Sequence, residues 1–283
     1  MKDAFSMHLI SVSVHHSAFS SVNVLFRYRQ SSFGRMYNAS MRIRVLTIFP
    51  DQFESFLRHP LTARAVEKQL LDLEIIDLKE YADGSFRHID DSPFGGGAGM
   101  ILRCEPVYRA LAACRTGRSR VIAFTPCGTV YNQSHARRLL KEEDLIFICG
   151  HYEGMDERIL QAVDEEISVG DYILSGGELP AMTVMDSLIR MMKGTIRAES
   201  TAEESFEDGL LEYPQYTKPR SFEGMDVPEV LLSGHAEKIR LWRLKESLRK
   251  TMEKRPDLLA NRPLSKEEQK LLEEVNHERM EGN

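Results

Sequence analysis

The sequence predicts an α/β fold built on a parallel β-sheet, followed by a smaller and mainly helical region. Strand-like and helix-like segments alternate from Met41 to about residue 192, which is typical of parallel pairing with helices on both faces of the sheet. The strand-like segments show little polar alternation, as expected for strands buried on both sides. Beyond a polar stretch at residues 197–203 the alternation stops and helical periodicity dominates.

Five short segments are predicted to form the strands. Pro50 follows the first, Pro126 the third and Gly150 the fourth, and each of these residues interrupts a strand. The fourth segment is entirely apolar, which is typical of a strand buried on both faces. The predicted strands cover residues 43–49, 73–78, 120–125, 145–149 and 167–169.

Six segments carry apolar residues at helical spacing. They cover residues 53–65, 105–115, 133–141, 156–163, 178–192 and 236–255. The last of them holds eight Lys or Arg residues against three Glu residues, so it is a locally basic helix.

Composition excludes two broad classes of protein. The chain has 283 residues, of which 42% are hydrophobic and 28% charged, as in ordinary globular proteins and unlike a largely disordered one. No apolar run approaches the ~20 residues that cross a bilayer, so we expect no membrane association. Lys and Arg total 37 and Asp and Glu 43, a formal charge of −6 that does not favour nucleic-acid binding. The basic helix qualifies that inference.

The cysteines and the first forty residues bear on the compartment. Cys104, Cys114, Cys127 and Cys149 form no C-x-x-C pair, which excludes a zinc knuckle, and they suit a reducing, cytoplasmic location. Residues 1–40 are rich in Ser and His and lack a signal-peptide pattern. We interpret them as a weakly ordered or non-native extension, and the alternative is a transit peptide.

Three glycine turns follow strand-like segments: the first at residues 125–128, the second at 150–154 and the third at 170–177. In parallel sheets ligands bind beyond the carboxyl ends of the strands, where these turns lie. A further glycine-rich loop at 95–99 fits neither the dinucleotide fingerprint G-x-G-x-x-G nor the phosphate-binding loop G-x-x-x-x-G-K-[ST].

Several long motifs resemble those of the bacterial tRNA (guanine-N1)-methyltransferases. They include DDSPFGGGAGM, CGHYEGMDER, SVGDYILSGGELPAM, DGLLEYPQYTKP and WRLK, at residues 90–100, 149–158, 168–182, 208–219 and 242–245. The resemblance runs from Met41 to the end of the chain. It implies a SPOUT-class methyltransferase whose parallel sheet ends in a deep trefoil knot, a topology that periodicity would not reveal. It also implies a knotted catalytic domain at 41–196, a linker at 197–203 and a helical tRNA-binding domain at 204–283.

The resemblance further implies the cofactor and the partners. S-adenosylmethionine is expected to bind within the knot of a homodimer whose active sites are shared between subunits. The substrate is expected to be tRNA, methylated at N1 of the guanosine immediately 3′ of the anticodon. The residues implied to bind the cofactor are Phe124, Thr125, Pro126, Gly128, Gly150, Tyr152, Glu153, Gly154, Val169, Gly170, Asp171, Tyr172, Ile173, Leu174, Gly176, Gly177 and Pro180.

The reaction requires a base, because guanine N1 carries a proton that must leave before its lone pair attacks a methyl group. In the family the base is an Asp just before Ser-Phe, and the matching residue here is Glu204, with Glu203 as an alternative. Arg190 matches the catalytic arginine, whose guanidinium would offset charge that develops on guanine O6. His151 is a departure, since the family motif more often has Arg there.

The resemblance also indicates a role for the basic helix, whose cations would contact tRNA phosphates. Such contacts position a nucleic acid without reading its sequence. The residues assigned to tRNA are Lys218, Arg240, Arg243, Lys245 and Arg249. Mg²⁺ dependence is a family expectation, although the sequence shows no metal-ligand set. Two alternatives stay open: a SPOUT-fold ribose 2′-O-methyltransferase, and a catalytically altered RNA-binding protein that keeps the fold.

Overall fold

Five parallel strands form the central sheet of the computed structural model, which describes residues 41–84, 88–196, 204–260 and 262–281. They are β1 (Met41–Thr47), β2 (Leu71–Asp77), β5 (Ser119–Val130), β6 (Asp144–Cys149) and β7 (Glu165–Ser168). Their order across the sheet is β2–β1–β6–β5–β7. Two short antiparallel ladders lie outside it, β3 (Asp90–Asp91) with β4 (Ile101–Leu102) and β8 (Ser221–Phe222) with β9 (Met225–Asp226).

Helices cover both faces of the sheet. On one face lie α1 (Glu54–Arg58), α2 (Pro60–Glu67), α4 (Gln133–Leu139) and α6 (Glu178–Met191), and on the other lie α3 (Cys104–Cys114) and α5 (Glu157–Leu160). Side chains of β6 alternate between the two cores, with Phe147 in one and Ile146 in the other. The predicted two-sided parallel sheet is therefore confirmed, and this double burial explains why residues 145–149 of β6 are all apolar.

Two predicted boundaries are wrong for identifiable reasons. The third strand does not end at Pro126, because after Phe124 the chain bulges and Thr129 pairs again with Ile167, the residue that Phe124 also faces. The predicted helix at 53–65 is broken at His59, which is extended because Pro60 follows it. Short 3₁₀ turns at Pro50–Phe53 and Leu78–Tyr81 follow β1 and β2.

The C-terminal part is helical, with α7 (Glu229–Leu232), α8 (Ala236–Lys254), α9 (Pro256–Ala260) and α10 (Lys266–Glu281). Leu210, Leu248 and Leu271 form a separate small core there. The predicted basic helix is confirmed as α8. The extension at 1–40 and the linker at 197–203 lie outside the described residues, and none of the described helices is long and apolar enough to cross a membrane.

The amino edge of the sheet is held by buried charges. The Arg44 guanidinium pairs with the Asp144 carboxylate and donates to the Cys114 carbonyl, and both charged residues are less than 7% exposed. Asp144 also accepts hydrogen bonds from Thr116 Oγ1 at 2.9 Å and Ser119 Oγ at 2.6 Å. Burial disfavours the carboxylate, but these hydrogen bonds outweigh it and lower the pKa of Asp144.

Candidate active site

The three glycine turns lie together at the carboxyl edge of the sheet, as the sequence predicts. Gly177 N–H of the third turn donates to the Gly150 carbonyl of the second turn at 2.8 Å. Thr125 Oγ1 of the first turn donates to Glu166 Oε2 on β7 at 2.8 Å. The second and third turns are therefore bonded to each other, and the first turn, a bulge within β5, is held against β7.

Gly128 shows how closely the first turn approaches β7. A Cβ atom at this position would lie 2.5 Å from the Ile167 backbone nitrogen, so a larger residue would push the turn off the strand. The bulge at residues 125–128 depends on this close approach, since Thr129 pairs again with Ile167 immediately afterwards.

The second turn is joined to the glycine-rich loop that precedes α3. Glu153 N–H donates to the Met100 carbonyl and Leu102 N–H donates to the Gly154 carbonyl, both at 3.0 Å. Tyr152 takes a positive φ of 61°, and burial together with the nearby Asp90 carboxylate raises the pKa of its phenol. The loop and the turn thus form one wall of the site.

The third turn presents apolar side chains to solvent. Tyr172, Ile173 and Leu174 are 57%, 80% and 37% exposed, although such residues are usually buried. The predicted wall residues Phe124 and Pro180 are instead buried, and Phe124 packs edge-on against Phe147 with ring centroids 5.2 Å apart. Exposed apolar side chains beside close-packed glycine backbone form a surface that can hold a partly apolar ligand.

The two residues assigned to catalysis contact each other. Arg190 Nη2 lies 2.5 Å from Glu204 Oε1, and the two side chains are 42% and 34% exposed. Arg190 occupies the last turn of α6, whereas Glu204 follows the undescribed residues 197–203, so the pair joins two separate parts of the chain. The alternative base, Glu203, lies outside the described residues.

Glu204 is held in place through the residues that follow it. Arg137 on α4 donates to the Phe206 carbonyl at 3.0 Å and forms an ion pair with Glu207 at 3.0 Å. Gln133 Nε2, at the start of α4, donates to Glu207 Oε1 at 3.0 Å. The segment carrying Glu204 is therefore fixed on the same face of the sheet as α6.

Most of the residues assigned to tRNA are already engaged within the chain. Arg240 pairs with Glu267 of α10, and Lys245 and Arg249 share Glu278 of the same helix. These contacts lower the pKa of Glu278 to about 2. The Arg243 guanidinium lies 4.7 Å above the ring of Tyr213. Lys218 is exposed. The sequence prediction of a basic helix is confirmed, but α10 supplies acidic partners that it did not foresee.

One buried acid beside the third glycine turn was not predicted from the sequence. Glu178, the first residue of α6, is 2% exposed and accepts a hydrogen bond from Thr47 Oγ1 at 2.7 Å. A signal for it exists in the sequence, since helical periodicity places residue 178 on the same face as the buried Ala181 and Met185. Among the described residues, no cluster of three or more His, Cys, Asp or Glu side chains could hold a metal ion.

Known proteins resemble this chain over most of its length. The family model described as tRNA (Guanine-1)-methyltransferase TrmD matches residues 41–261. A tRNA (guanine-N(1)-)-methyltransferase of Streptococcus uberis is 50% identical over 239 residues, which cover 84% of this chain and 100% of that protein. A protein of the same name from Streptococcus pneumoniae is 51% identical over 236 residues, covering 83% and 98%. The chain therefore belongs to the tRNA (guanine-1)-methyltransferase family.

Proposed function

We propose that this enzyme transfers a methyl group from S-adenosylmethionine to N1 of the guanosine immediately 3′ of the anticodon in tRNA. The observation that carries the proposal is the contact between Arg190 and Glu204, the acid and the arginine that this chemistry requires, in a chain that belongs to the family. The names of the relatives supply the substrate class and the atom that is methylated.

The three glycine turns are proposed to hold S-adenosylmethionine. Backbone amides and carbonyls at close-packed positions such as Gly128 and Gly177 suit the polar edges of an adenosine. The exposed side chains of Tyr172, Ile173 and Leu174 offer apolar contacts to its base. When bound, S-adenosylmethionine supplies an electrophilic methyl group on a positively charged sulfur.

Glu204 is proposed to be the general base and Arg190 the electrostatic partner. The Glu204 carboxylate accepts the proton from guanine N1, and the freed electron pair of N1 forms the new bond to the methyl carbon. The electrons of the broken carbon–sulfur bond stay on sulfur. The Arg190 guanidinium donates hydrogen bonds to guanine O6, where negative charge develops as N1 loses its proton. In the substrate-free chain the same two groups neutralise each other.

A site shared between two subunits fits the spacing along α6. Twelve positions separate Glu178, beside the third turn, from Arg190, so at 1.5 Å rise per residue they lie about 18 Å apart along the helix axis. Methyl transfer requires the reacting atoms within contact distance. We therefore propose a homodimer in which the turns of one subunit face Arg190 and Glu204 of the other. The side chains of Ile173 and Leu179, which are 80% and 51% exposed, are candidates for the interface of this homodimer.

The knot and the domain boundaries are also proposed. We propose that the third turn threads through the loops of the sheet as a trefoil knot, which is supported by its contact with Gly150. We also propose a catalytic domain at 41–196, a linker at 197–203 and a tRNA-binding domain at 204–283. The separate core around Leu248 supports the last of these.

The described residues contain no cluster of three or more potential metal ligands, so they offer no preformed all-protein site for the Mg²⁺ that the family implies. The mechanism above needs only the carboxylate, the guanidinium and the methyl donor.

Methyl transfer to tRNA transcripts tests the proposal. The enzyme is incubated with tritiated S-adenosylmethionine and an unmodified transcript that carries guanosine, or instead adenosine, immediately 3′ of the anticodon. We expect incorporation only into the guanosine transcript. Equal incorporation into both would favour the ribose methyltransferase alternative, and cofactor binding without incorporation would favour the RNA-binding alternative.

A further inference from the structure

Glu178 is a buried carboxylate that the mechanism above does not use. It is 2% exposed at the first turn of α6, where the helix dipole favours a negative charge. Its Oε1 atom accepts from Thr47 Oγ1, at the end of β1. Within the part of the chain that the structure describes, the one basic side chain recorded within 4 Å of this carboxylate is that of His151. Burying a carboxylate with so few hydrogen-bond partners is costly.

His151 faces this carboxylate from the second glycine turn. Its Nδ1 atom lies 3.8 Å from Glu178 Oε2, too far for a hydrogen bond. The atom is shielded from solvent and has no hydrogen-bond partner among the described residues. The ring is clamped edge-on by Phe49 and Tyr152, with centroids 4.6 Å and 5.1 Å away. A buried nitrogen without a partner therefore stands next to a buried acceptor oxygen.

The backbone of the third turn runs directly over this pair. A Cβ atom on Gly176 would lie 2.3 Å from Glu178 Oε2 and 2.4 Å from His151 Nδ1. Gly176 also forms an isolated bridge with His151. The two side chains thus sit where the second turn, the third turn and the end of β1 meet, immediately beneath residues assigned to the methyl donor.

We propose that Glu178 and His151 are positioning residues for the methyl donor, which form a hydrogen bond from Nδ1 to Oε2 when the donor fills the turns. Closing the 3.8 Å gap would draw the second turn against the third and fix Tyr152 and Gly176 around the ligand. Neither side chain touches the reacting atoms. This inference rests on the proposed binding of S-adenosylmethionine to the glycine turns.

The inference explains why two polar groups are buried without being fully paired. The 3.8 Å gap leaves one hydrogen bond unmade, and closing the gap on ligand binding would recover its free energy. Part of the free energy of ligand binding then depends on the second turn closing against the third. A hydrogen bond to a charged group is typically worth enough to change an affinity by roughly 10- to 100-fold.

A double-mutant cycle on ligand affinity tests the proposal in the full-length enzyme. Glu178→Met keeps the side-chain length without the carboxylate, and His151→Phe keeps the ring contacts without the nitrogen. Calorimetric titration with S-adenosylmethionine should show the dissociation constant raised roughly 10- to 100-fold by either change and no further by both together. In steady-state assays KM for S-adenosylmethionine should rise while kcat stays within about threefold.

A matched control removes a buried carboxylate from the opposite edge of the sheet. Asp144→Asn should lower thermal stability but leave the dissociation constant unchanged. The ¹⁵N resonance of His151 Nδ1 in the wild-type enzyme should move on adding S-adenosylmethionine, which tests the proposal even if Glu178→Met does not fold.

The outcomes distinguish a failure of the proposed function from a failure of the positioning role. No binding by the wild-type enzyme would overturn the proposed function itself. Binding by the wild type with no change in either single variant, or with losses that multiply in the double variant, would overturn only the positioning role. An unmoved Nδ1 resonance at saturating ligand would also overturn it.

Discussion

The amino and carboxyl edges of the central sheet differ in how their buried carboxylates are paired. At the amino edge the buried Arg44 and Asp144 form an ion pair, and two hydroxyl groups complete the surroundings of the carboxylate. At the carboxyl edge the buried Glu178 accepts a hydrogen bond from Thr47 Oγ1, and His151 Nδ1, 3.8 Å from its other oxygen, forms no hydrogen bond among the described residues.

The difference indicates that the amino edge stabilises the fold, whereas the carboxyl edge is suited to binding a ligand. Paired charges at the amino edge tie β1, β5 and β6 together without facing any ligand. Glycine backbone, exposed apolar side chains and partly satisfied polar groups at the carboxyl edge are costly until something binds. Substitutions at the two edges should therefore separate effects on folding from effects on catalysis.

The largest expected effect is on chemistry. Glu204→Gln removes the proposed base while keeping the side-chain shape, and we expect methyl transfer to fall by roughly 10²- to 10⁴-fold. Single-turnover assays with saturating tRNA and S-adenosylmethionine measure this loss. Glu143→Gln, at an exposed position of the amino edge, is the matched control and should transfer at the wild-type rate.

The next largest effect is on folding. Asp144→Asn leaves the Arg44 guanidinium buried without its counter-charge, which typically costs about 3–5 kcal/mol of unfolding free energy. Denaturant titration measures the loss. A variant as stable as the wild type would show that the amino edge does not hold the fold as we describe.

The same carboxylate gives a pH dependence of known sign. Because the pKa of Asp144 is lowered in the folded chain, its contribution to stability is present above the unfolded value of about 3.8 and is lost as the pH falls through the folded value. Stability of the wild type should therefore drop more steeply below pH 4 than that of Asp144→Asn. Parallel acid-unfolding curves would contradict this.

A smaller effect is expected at the first glycine turn. In Gly128→Ala the new Cβ would overlap the Ile167 backbone, so the turn must shift, at a strain of about 1–3 kcal/mol. We expect S-adenosylmethionine to bind roughly tenfold more weakly, as measured by calorimetry. Gly117→Ala, where nothing lies within 4 Å of the added atom, serves as the control and should bind normally.

The smallest effect is expected at Lys218, the exposed cation assigned to tRNA. Lys218→Ala should weaken tRNA binding modestly and reduce the slope of log affinity against log salt by about 1, since one phosphate contact is lost. Filter-binding titrations over a range of salt measure the slope. An unchanged slope would remove Lys218 from the RNA-binding surface.

Local patterns predicted much of the fold because burial on both faces leaves a direct mark on the sequence. The uninterrupted apolar run of β6 and the periodicity of α8 appear in the structure nearly as expected. The bulge after Phe124 was not predictable in the same way, because it depends on pairing with β7 rather than on local sequence.

Contacts between distant parts of the chain were beyond local reasoning. The motifs indicated Arg190 and Glu204 separately. Their contact, 2.5 Å between Arg190 Nη2 and Glu204 Oε1, is seen only in the folded chain. The acidic partners of Arg240 and Lys245 come from α10, whose Glu residues alone indicate no pairing. The role of Glu178 depends on the ends of β1 and β6 meeting the start of α6, which the sequence does not display.

Identification of the methylated nucleoside tests the central claim most directly. An unmodified tRNA transcript is incubated with the enzyme and S-adenosylmethionine, digested to nucleosides and analysed by chromatography with mass detection. We expect 1-methylguanosine from the wild-type enzyme and almost none from Glu204→Gln. A ribose-methylated guanosine, or equal amounts of 1-methylguanosine from both proteins, would contradict it.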